Sequence, residues 1–344
     1  MRTTMAGHRR WAARPGPASL AALVAVLAVL ALLALTVVTL AGRPGSSRRG
    51  GDPFAGMRMF VDHRSPAALA EASLARVNPA AAALLRKIAS QPTGTWLGGW
   101  IPAAQVAGVV RTLMRRAAAQ DSMPLLVLYA FPYHGCLARP TRGPPGVSGY
   151  ERWIGQVAAG IGTRRAAVIL EPDALALLAQ PGCLPAAELA GRLALLRRAA
   201  GQLARSPGTA VYIDAGQARW RPPGVMAPLL LAAGVQLARG FSLNVSNFDS
   251  TASEERYGDR LSTLVKRAHY VIDTSRNGTA TAATWCNPPG QALGTPPTAH
   301  TGNPLIDALL WIKPPGASDG PCRGGPQAGM FWLSYALGLA ARAR

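Results

Sequence analysis

The sequence predicts an α/β protein, with about seven parallel strands in a closed or nearly closed barrel covered by helices and preceded by one apolar N-terminal helix. Three observations predict it. Short β-rich runs alternate with longer Ala- and Leu-rich helical stretches through the middle of the chain. No internal repeat or second low-complexity linker divides the roughly 285 residues that follow position 57, a length usual for one α/β barrel. Polar, carboxylate-rich segments follow the strand-like runs, at the barrel end where such folds carry their chemistry.

The elements follow in order. Residues 1–14 are basic, with Arg2, His8, Arg9, Arg10 and Arg14, and are expected to stay in the cytoplasm. Residues 15–42 are uncharged and include LAALVAVLAVLALLALTVVTLA, long enough to span a bilayer as a helix. A cleaved signal has a shorter apolar core and a small-residue cleavage site. This run is longer and no clean site follows, so an uncleaved signal anchor is preferred over a cleaved signal peptide. Either one places the remainder outside the cytoplasm, anchored to the membrane or secreted. Residues 43–56 form a polar, Gly-rich linker, and 57–344 one globular domain. Within it, strands are predicted at 95–98, 125–129, 167–170, 210–213, 240–243, 270–272 and 309–312. Helices are predicted over 66–90, 103–120, 149–160, 186–205, 223–233, 253–267 and 331–341.

Composition narrows the function. The 344 residues hold 36 Lys+Arg against 16 Asp+Glu, a formal net charge of +20. Only Lys87, Lys266 and Lys313 are lysines, and the wealth of Ala, Gly, Pro and Arg reflects GC-rich coding rather than a nucleic-acid footprint. No zinc finger, RNP motif or basic helix with interleaved aromatics occurs, so no nucleic-acid partner is expected. His63, His269 and His300 lack metal-ligand spacing, and no phosphate loop or serine elbow is present, so neither metal nor cofactor is expected. Cys136, Cys183, Cys286 and Cys322 are too widely spaced for metal knuckles. In an oxidising compartment they read as two disulfides, with three pairings open.

The strand ends carry the remaining signal: YAFPYHGC, EPDAL, DAGQARW, NVSNF, DTSRNG and KPPGASDG follow successive strands. Together with QPTGTWLGGW, YERWIGQVAAGIG, WCNPPGQALGTPPTAHTGNPLIDALLWIKPPGASDG and GGPQAGMFW, they resemble glycoside hydrolase family 6, the inverting β-1,4-glucanases, in the family's own order. The resemblance implies a distorted seven-stranded, TIM-like β/α barrel whose sugar-binding groove crosses the strands' C-terminal ends. It makes 57–344 a catalytic domain acting on a β-glucan or cello-oligosaccharide, expected to work as a monomer. It implies that Asp173 is the general acid, Asp319 the carboxylate proposed as base, and Asp214 an aspartate supporting substrate binding. Tyr129 falls where a tyrosine crowds the sugar at the cleavage point. Trp96, Trp220, Asn247, Trp285 and Lys313 fall on substrate-binding positions. Cys136 would pair with Cys183, and Cys286 with Cys322.

The physical logic agrees. A glycosidic oxygen leaves poorly until protonated, so the acid must keep its proton near neutral pH through burial or a neighbouring negative charge. Inversion needs a water on the opposite sugar face, with the two carboxyl groups roughly 6.5–9.5 Å apart. The short, Pro- and Gly-rich stretch between Cys136 and Tyr150 favours an open cleft and endo-type cleavage.

The sequence departs from the family in YAFPYHGC, where Gly135 replaces the usual aspartate and no acidic residue lies between Asp121 and Glu151. Gln217 and Ala317 replace a histidine and a glutamate. These losses raise a rival reading, a glucan-binding protein with little or no chemistry. Other residues have plainer expectations. Glu171 is expected to cap the helix after Pro172, Asp273 and Arg276 to form an ion pair, and Trp100, Trp153, Trp311 and Trp332 to lie in the core.

Overall fold

The structure, a computed structural model, describes residues 51–133, 146–180, 184–279 and 284–343. The expectations for the N-terminal helix, Gly135, Cys136 and Cys183 lie outside these residues. Among the described residues, no helix is long and apolar enough to cross a membrane.

Two helices come first, α1 (Pro66–Leu74) and α2 (Pro79–Ala89). One helix over 66–90 was expected. Pro79 disfavours helical backbone at Asn78, whose side chain instead caps α2 by accepting the Ala81 N–H at 3.1 Å. Then β1 (Thr95–Gly98), α3 (Ala103–Ala118), β2 (Leu125–Tyr129), α4 (Gly146–Ile161) and β3 (Ala166–Leu170) follow. Next come α5 (Ala174–Leu178), α6 (Ala186–Leu203), β4 (Thr209–Asp214), α7 (Pro223–Ala232) and β5 (Gly240–Leu243). The described chain ends with α8 (Thr251–Leu264), β6 (His269–Asp273), β7 (Ile306–Leu310) and α9 (Leu333–Arg342). Helix α5 is the helix expected after Pro172; no range was assigned to it, because five residues are too few to display a helical period. Strand β7 begins three residues earlier than expected. Its second residue, Asp307, breaks the apolar run but is buried because Tyr212 Oη donates to it at 2.7 Å and Arg239 Nε at 2.8 Å.

All seven strands are parallel and stand in sequence order in one sheet. The sheet curls so that its two edges meet without a ladder. Gly94 N–H donates to the Trp311 carbonyl at 2.9 Å, and the Trp96 indole N–H to the Ile312 carbonyl at 3.0 Å. Strand alternation then sorts the side chains. Leu97, Leu126, Leu128, Val168 and Leu170 pack outward against α3, α4 and α6. Val127, Ile169, Tyr212, Val271 and Ile312 pack inward. Phe54, in the segment read as linker, is buried here beside Tyr212, with ring centroids 6.2 Å apart.

Two buried acids organise the loops beyond the strands. Asp273, at the end of β6, accepts backbone N–H groups from Ser275 (3.0 Å) and Ile312 (3.2 Å) on one oxygen. Its other oxygen accepts Ser246 (3.0 Å) and Lys313 (3.0 Å). It therefore ties the exits of β5, β6 and β7 together and is not the ion-pair partner of Arg276, which instead meets Asp319. The reason is proximity: four amides converge on Asp273, while the Arg276 guanidinium extends over the Phe248 ring at 4.3 Å. Glu254, on α8, is fully buried and accepts the Ala218 N–H at 3.0 Å, next to Asp249. Burial, reinforced by the Asp249 charge, pushes its carboxyl up to about 8.

These acids generate two predictions. Asp273→Ala orphans backbone donors that water cannot reach and should cost about 3 kcal/mol or more, read as a lower urea midpoint. For Glu254, the folded state holds the proton up to pH of about 8, whereas the unfolded chain releases it near 4.5. Its contribution is therefore present in full below 4.5 and lost as pH rises toward 8. The slope approaches about 1.4 kcal/mol per pH unit. Glu254→Gln keeps an acceptor for Ala218 without a titrating proton, so its urea midpoint should fall less than the parent's between pH 5 and pH 8.

Candidate active site

The exits of β1, β2, β3, β4 and β7 bring together most of the residues singled out in the sequence. At the β3 exit the backbone turns sharply. Glu171 and Asp173 both have positive φ, 53° and 70°, a conformation that side chains adopt reluctantly. Glu171 does not cap α5. Its buried carboxylate accepts the Ala130 and Phe131 N–H groups at 2.9 and 2.8 Å and the Tyr150 hydroxyl at 3.0 Å. It thereby clamps the β2 exit to the β3 exit. Burial pushes Glu171 up to about 8, even though those donors favour the charged form.

Asp173 stands at the N-terminus of α5 but makes no side-chain cap, so its carboxyl is free of the structural role open to a first-turn acid. Its own N–H donates to Asp214 Oδ1 at 3.0 Å. Asp214 is fully buried at the end of β4. Its Oδ1 also accepts the Gly216 N–H at 3.0 Å, and its Oδ2 the Ser242 hydroxyl at 3.1 Å. With these partners Asp214 holds the Asp173 backbone rather than projecting toward solvent. Burial and the nearby Asp173 charge raise its pKa. The turn after β4 uses Gly216 at φ +74°, where an added Cβ would come within 3.0 Å of Ala176 and 3.2 Å of the Trp220 ring. Trp220 is held beside this turn.

The Asp173 carboxyl is pushed up to about 6, mainly by burial. Lys313 pulls it down and the Asp319 charge pulls it up. Asp319 behaves in the opposite way. Its burial is outweighed by Arg276 and Lys313, which hold it below the usual carboxylate range. Arg276 Nη1 lies 2.8 Å from one Asp319 oxygen and Lys313 Nζ 3.2 Å from the other. The Asn287 N–H donates to the first oxygen at 3.0 Å, and the Asp319 N–H returns a bond to Asn287 Oδ1 at 2.8 Å. Asn287 follows Cys286, which is disulfide-bonded to Cys322 as the resemblance implied. Sequence reasoning missed Asn287 and assigned Arg276 to another partner. The signal available for Asn287 was its place next to a half-cystine in WCNPPG.

Two of the aromatic residues are also brought together. Trp96 and Tyr129 pack with ring centroids 5.6 Å apart, and Lys313 Nζ sits 5.5 Å from the Trp96 ring centre. Burial, and then the charges of Asp173 and Glu171, raise the Tyr129 pKa. Trp285 is 62% exposed, beside the disulfide. Asn247 turns its side-chain amide to the Val245 carbonyl at 2.9 Å. Trp153 and Trp311 are in the core as expected, and Trp332 is half-buried. Trp100 is the exception: it is 59% exposed, because Ile101 rather than Trp100 turns into the core ahead of α3. Among the described residues no group of three His, Cys, Asp or Glu side chains is arranged to hold a metal ion.

Comparison with known proteins finds relatives of this chain. Endoglucanase A of Cellulomonas fimi is 42% identical over 262 residues, covering 76% of this chain and 57% of that protein. Endoglucanase 1 of Streptomyces halstedii is 40% identical over 260 residues, covering 73% of this chain and 78% of its own length. The solved structure of the endoglucanase Cel6 from Mycobacterium tuberculosis, in complex with methyl-cellobiosyl-4-deoxy-4-thio-β-D-cellobioside, is 44% identical. It superposes with a TM-score of 0.78 over 85% of this chain and 99% of that one. The family described as Glycosyl hydrolases family 6 matches residues 54–343, and the chain belongs to that family.

Proposed function

We propose that the protein hydrolyses β-1,4-glucosidic bonds in cellulose-like glucans with inversion, cutting within the chain in an open cleft. The observation that carries this reading is the opposite tuning of two carboxyl groups in one site, Asp173 pushed up to about 6 and Asp319 held below its ordinary range. An acid–base pair needs one member protonated and the other ionised at the same pH, and environments that drive two carboxyls apart supply that. Family membership and the named endoglucanase relatives support the same substrate class.

In this reading Asp173 gives its proton to the departing sugar oxygen. Asp214 is a positioning residue, acting through the Asp173 amide. Asp319 stays ionised and favours the protonated form of Asp173. With both its oxygens engaged by Arg276, Lys313 and Asn287, it is a weak base. Its help to the attacking water therefore runs through further waters rather than by direct proton abstraction. Tyr129, Trp96, Trp220, Trp285, Asn247 and Lys313 line and hold the glucan, the indoles stacking on the C–H faces of glucose. The N-terminal segment places the domain outside the cytoplasm, as a signal anchor or as a removed signal, and the domain works as a monomer.

Two measurements test the reading. Reducing-sugar release from carboxymethylcellulose should fall about 10²–10⁴-fold in Asp173→Asn. In the parent, release should decline as pH rises through about 6, as Asp173 loses its proton, and persist on the acid side until Asp319 is protonated below 3.8. Glucan binding without any release by the parent would instead favour the rival reading of a binding protein. Gly135→Asp restores the carboxylate usual in the family at this position and should move the alkaline limb to higher pH. An unchanged limb in a folded variant would show that the site keeps its proton balance without that carboxylate.

A further inference from the structure

We infer that Trp100 is a sugar-stacking platform that extends the glucan groove past Trp96, an inference that rests on the glucan-hydrolase reading above. Along β1 the side chains alternate, with Leu97 packed outward under the helices and Trp96 inward. Gly98 follows Trp96 on the inward face, roughly 6.6 Å further along the strand. The space where a Gly98 side chain would stand is filled by the Trp100 indole. A Cβ added to Gly98 would lie 2.0 Å from Cζ3, 2.3 Å from Cη2 and 2.5 Å from Cε3 of that ring. The chain has therefore folded Trp100 back over the strand end, placing its ring one step beyond Trp96 at the open mouth. Gly98 is in register with Tyr129, which packs on Trp96, so the three aromatic residues border one corner of the site.

The ring is presented by a fixed turn. Ile101 N–H donates to the Gly98 carbonyl at 3.0 Å, and Gly99 N–H to the Tyr129 carbonyl at 3.3 Å. The fully buried Trp153 indole donates to the Ile101 carbonyl at 2.9 Å. A rigid turn carrying a 59% exposed indole loses little freedom on binding a ligand, and a Trp held this way has the character of an affinity anchor. The pyranose rings of a β-glucan are flat enough to stack on such a face. The site along β1 thus takes a longer chain than Trp96 alone would reach.

The test measures oligosaccharide binding by calorimetry to the full chain carrying Asp173→Asn, which prevents turnover. The quantity read is the affinity gained from cellotetraose to cellohexaose. Adding Trp100→Ala should reduce that gain about tenfold, corresponding to the loss of one aromatic anchor, while Trp100→Phe should retain most of it. Gly98→Ala pushes the ring aside without removing it and should reduce the gain as well, with no further loss when combined with Trp100→Ala. An unchanged gain in Trp100→Ala overturns the inference, as does an equal loss for both oligosaccharides with a lowered melting temperature. If the Asp173→Asn parent binds no cello-oligosaccharide, the hydrolase reading fails and the platform falls with it.

Discussion

One hydrogen bond sets the geometry on which the site depends: the Asp173 amide donating to the buried Asp214 carboxylate at 3.0 Å. It fixes a backbone that would not choose its own shape. Asp173 sits at φ 70°, which costs a non-glycine residue roughly 1–2 kcal/mol. Glu171, two residues earlier, is in the same region. Neither strain would persist without partners on the neighbouring strands. Because Asp214 is itself held by Gly216 and Ser242, the bend at the β3 exit is braced from β4 and β5. The side chain of Asp173 is left over from this bracing, which is why it is available for chemistry.

The same device recurs around the mouth of the sheet. A parallel sheet ends in main-chain amides with no further strand to receive them, and burying such groups unpaired is costly. Here buried acids receive them: Glu171 for the β2 exit, Asp214 for the β3 exit, and Asp273 for the exits of β5 to β7. Asp319 is treated differently, because cations rather than amides surround it. Burial with neutral donors keeps carboxyls protonated, and burial with cations keeps them ionised. The opposite shifts of Asp173 and Asp319 follow from burial winning at the first and two adjacent cations winning at the second.

The alternation of strands and helices was readable because buried parallel strands leave short apolar runs with clear breaks. β1, β2 and β5 lie where those runs are. What resisted reading were residues whose role depends on a partner distant in sequence. Asp307 looked like a break in β7 until Tyr212 and Arg239 met it. Glu171 looked like a helix cap, since nothing local announces the amides of Ala130 and Phe131. Arg276 is nearer in sequence to Asp273 than to Asp319, and proximity along the chain misassigned it. Trp100 shows the converse limit: a tryptophan between apolar neighbours carries no mark of which one turns inward. The carboxylates of the site stood out at the strand ends, but their separate roles were legible only because they stood in segments whose order resembled a family.

The cystine at Cys286 and Cys322 encloses the stretch that supplies both Asn287 and Asp319. Such a link forms only where thiols are oxidised. A newly made chain in a reducing environment would lack the clasp across this corner, and its anionic member would rest on Arg276 and Lys313 alone. Maturation of this corner is in this sense coupled to redox chemistry: the stretch that holds Asp319 is locked only once the two thiols have been oxidised.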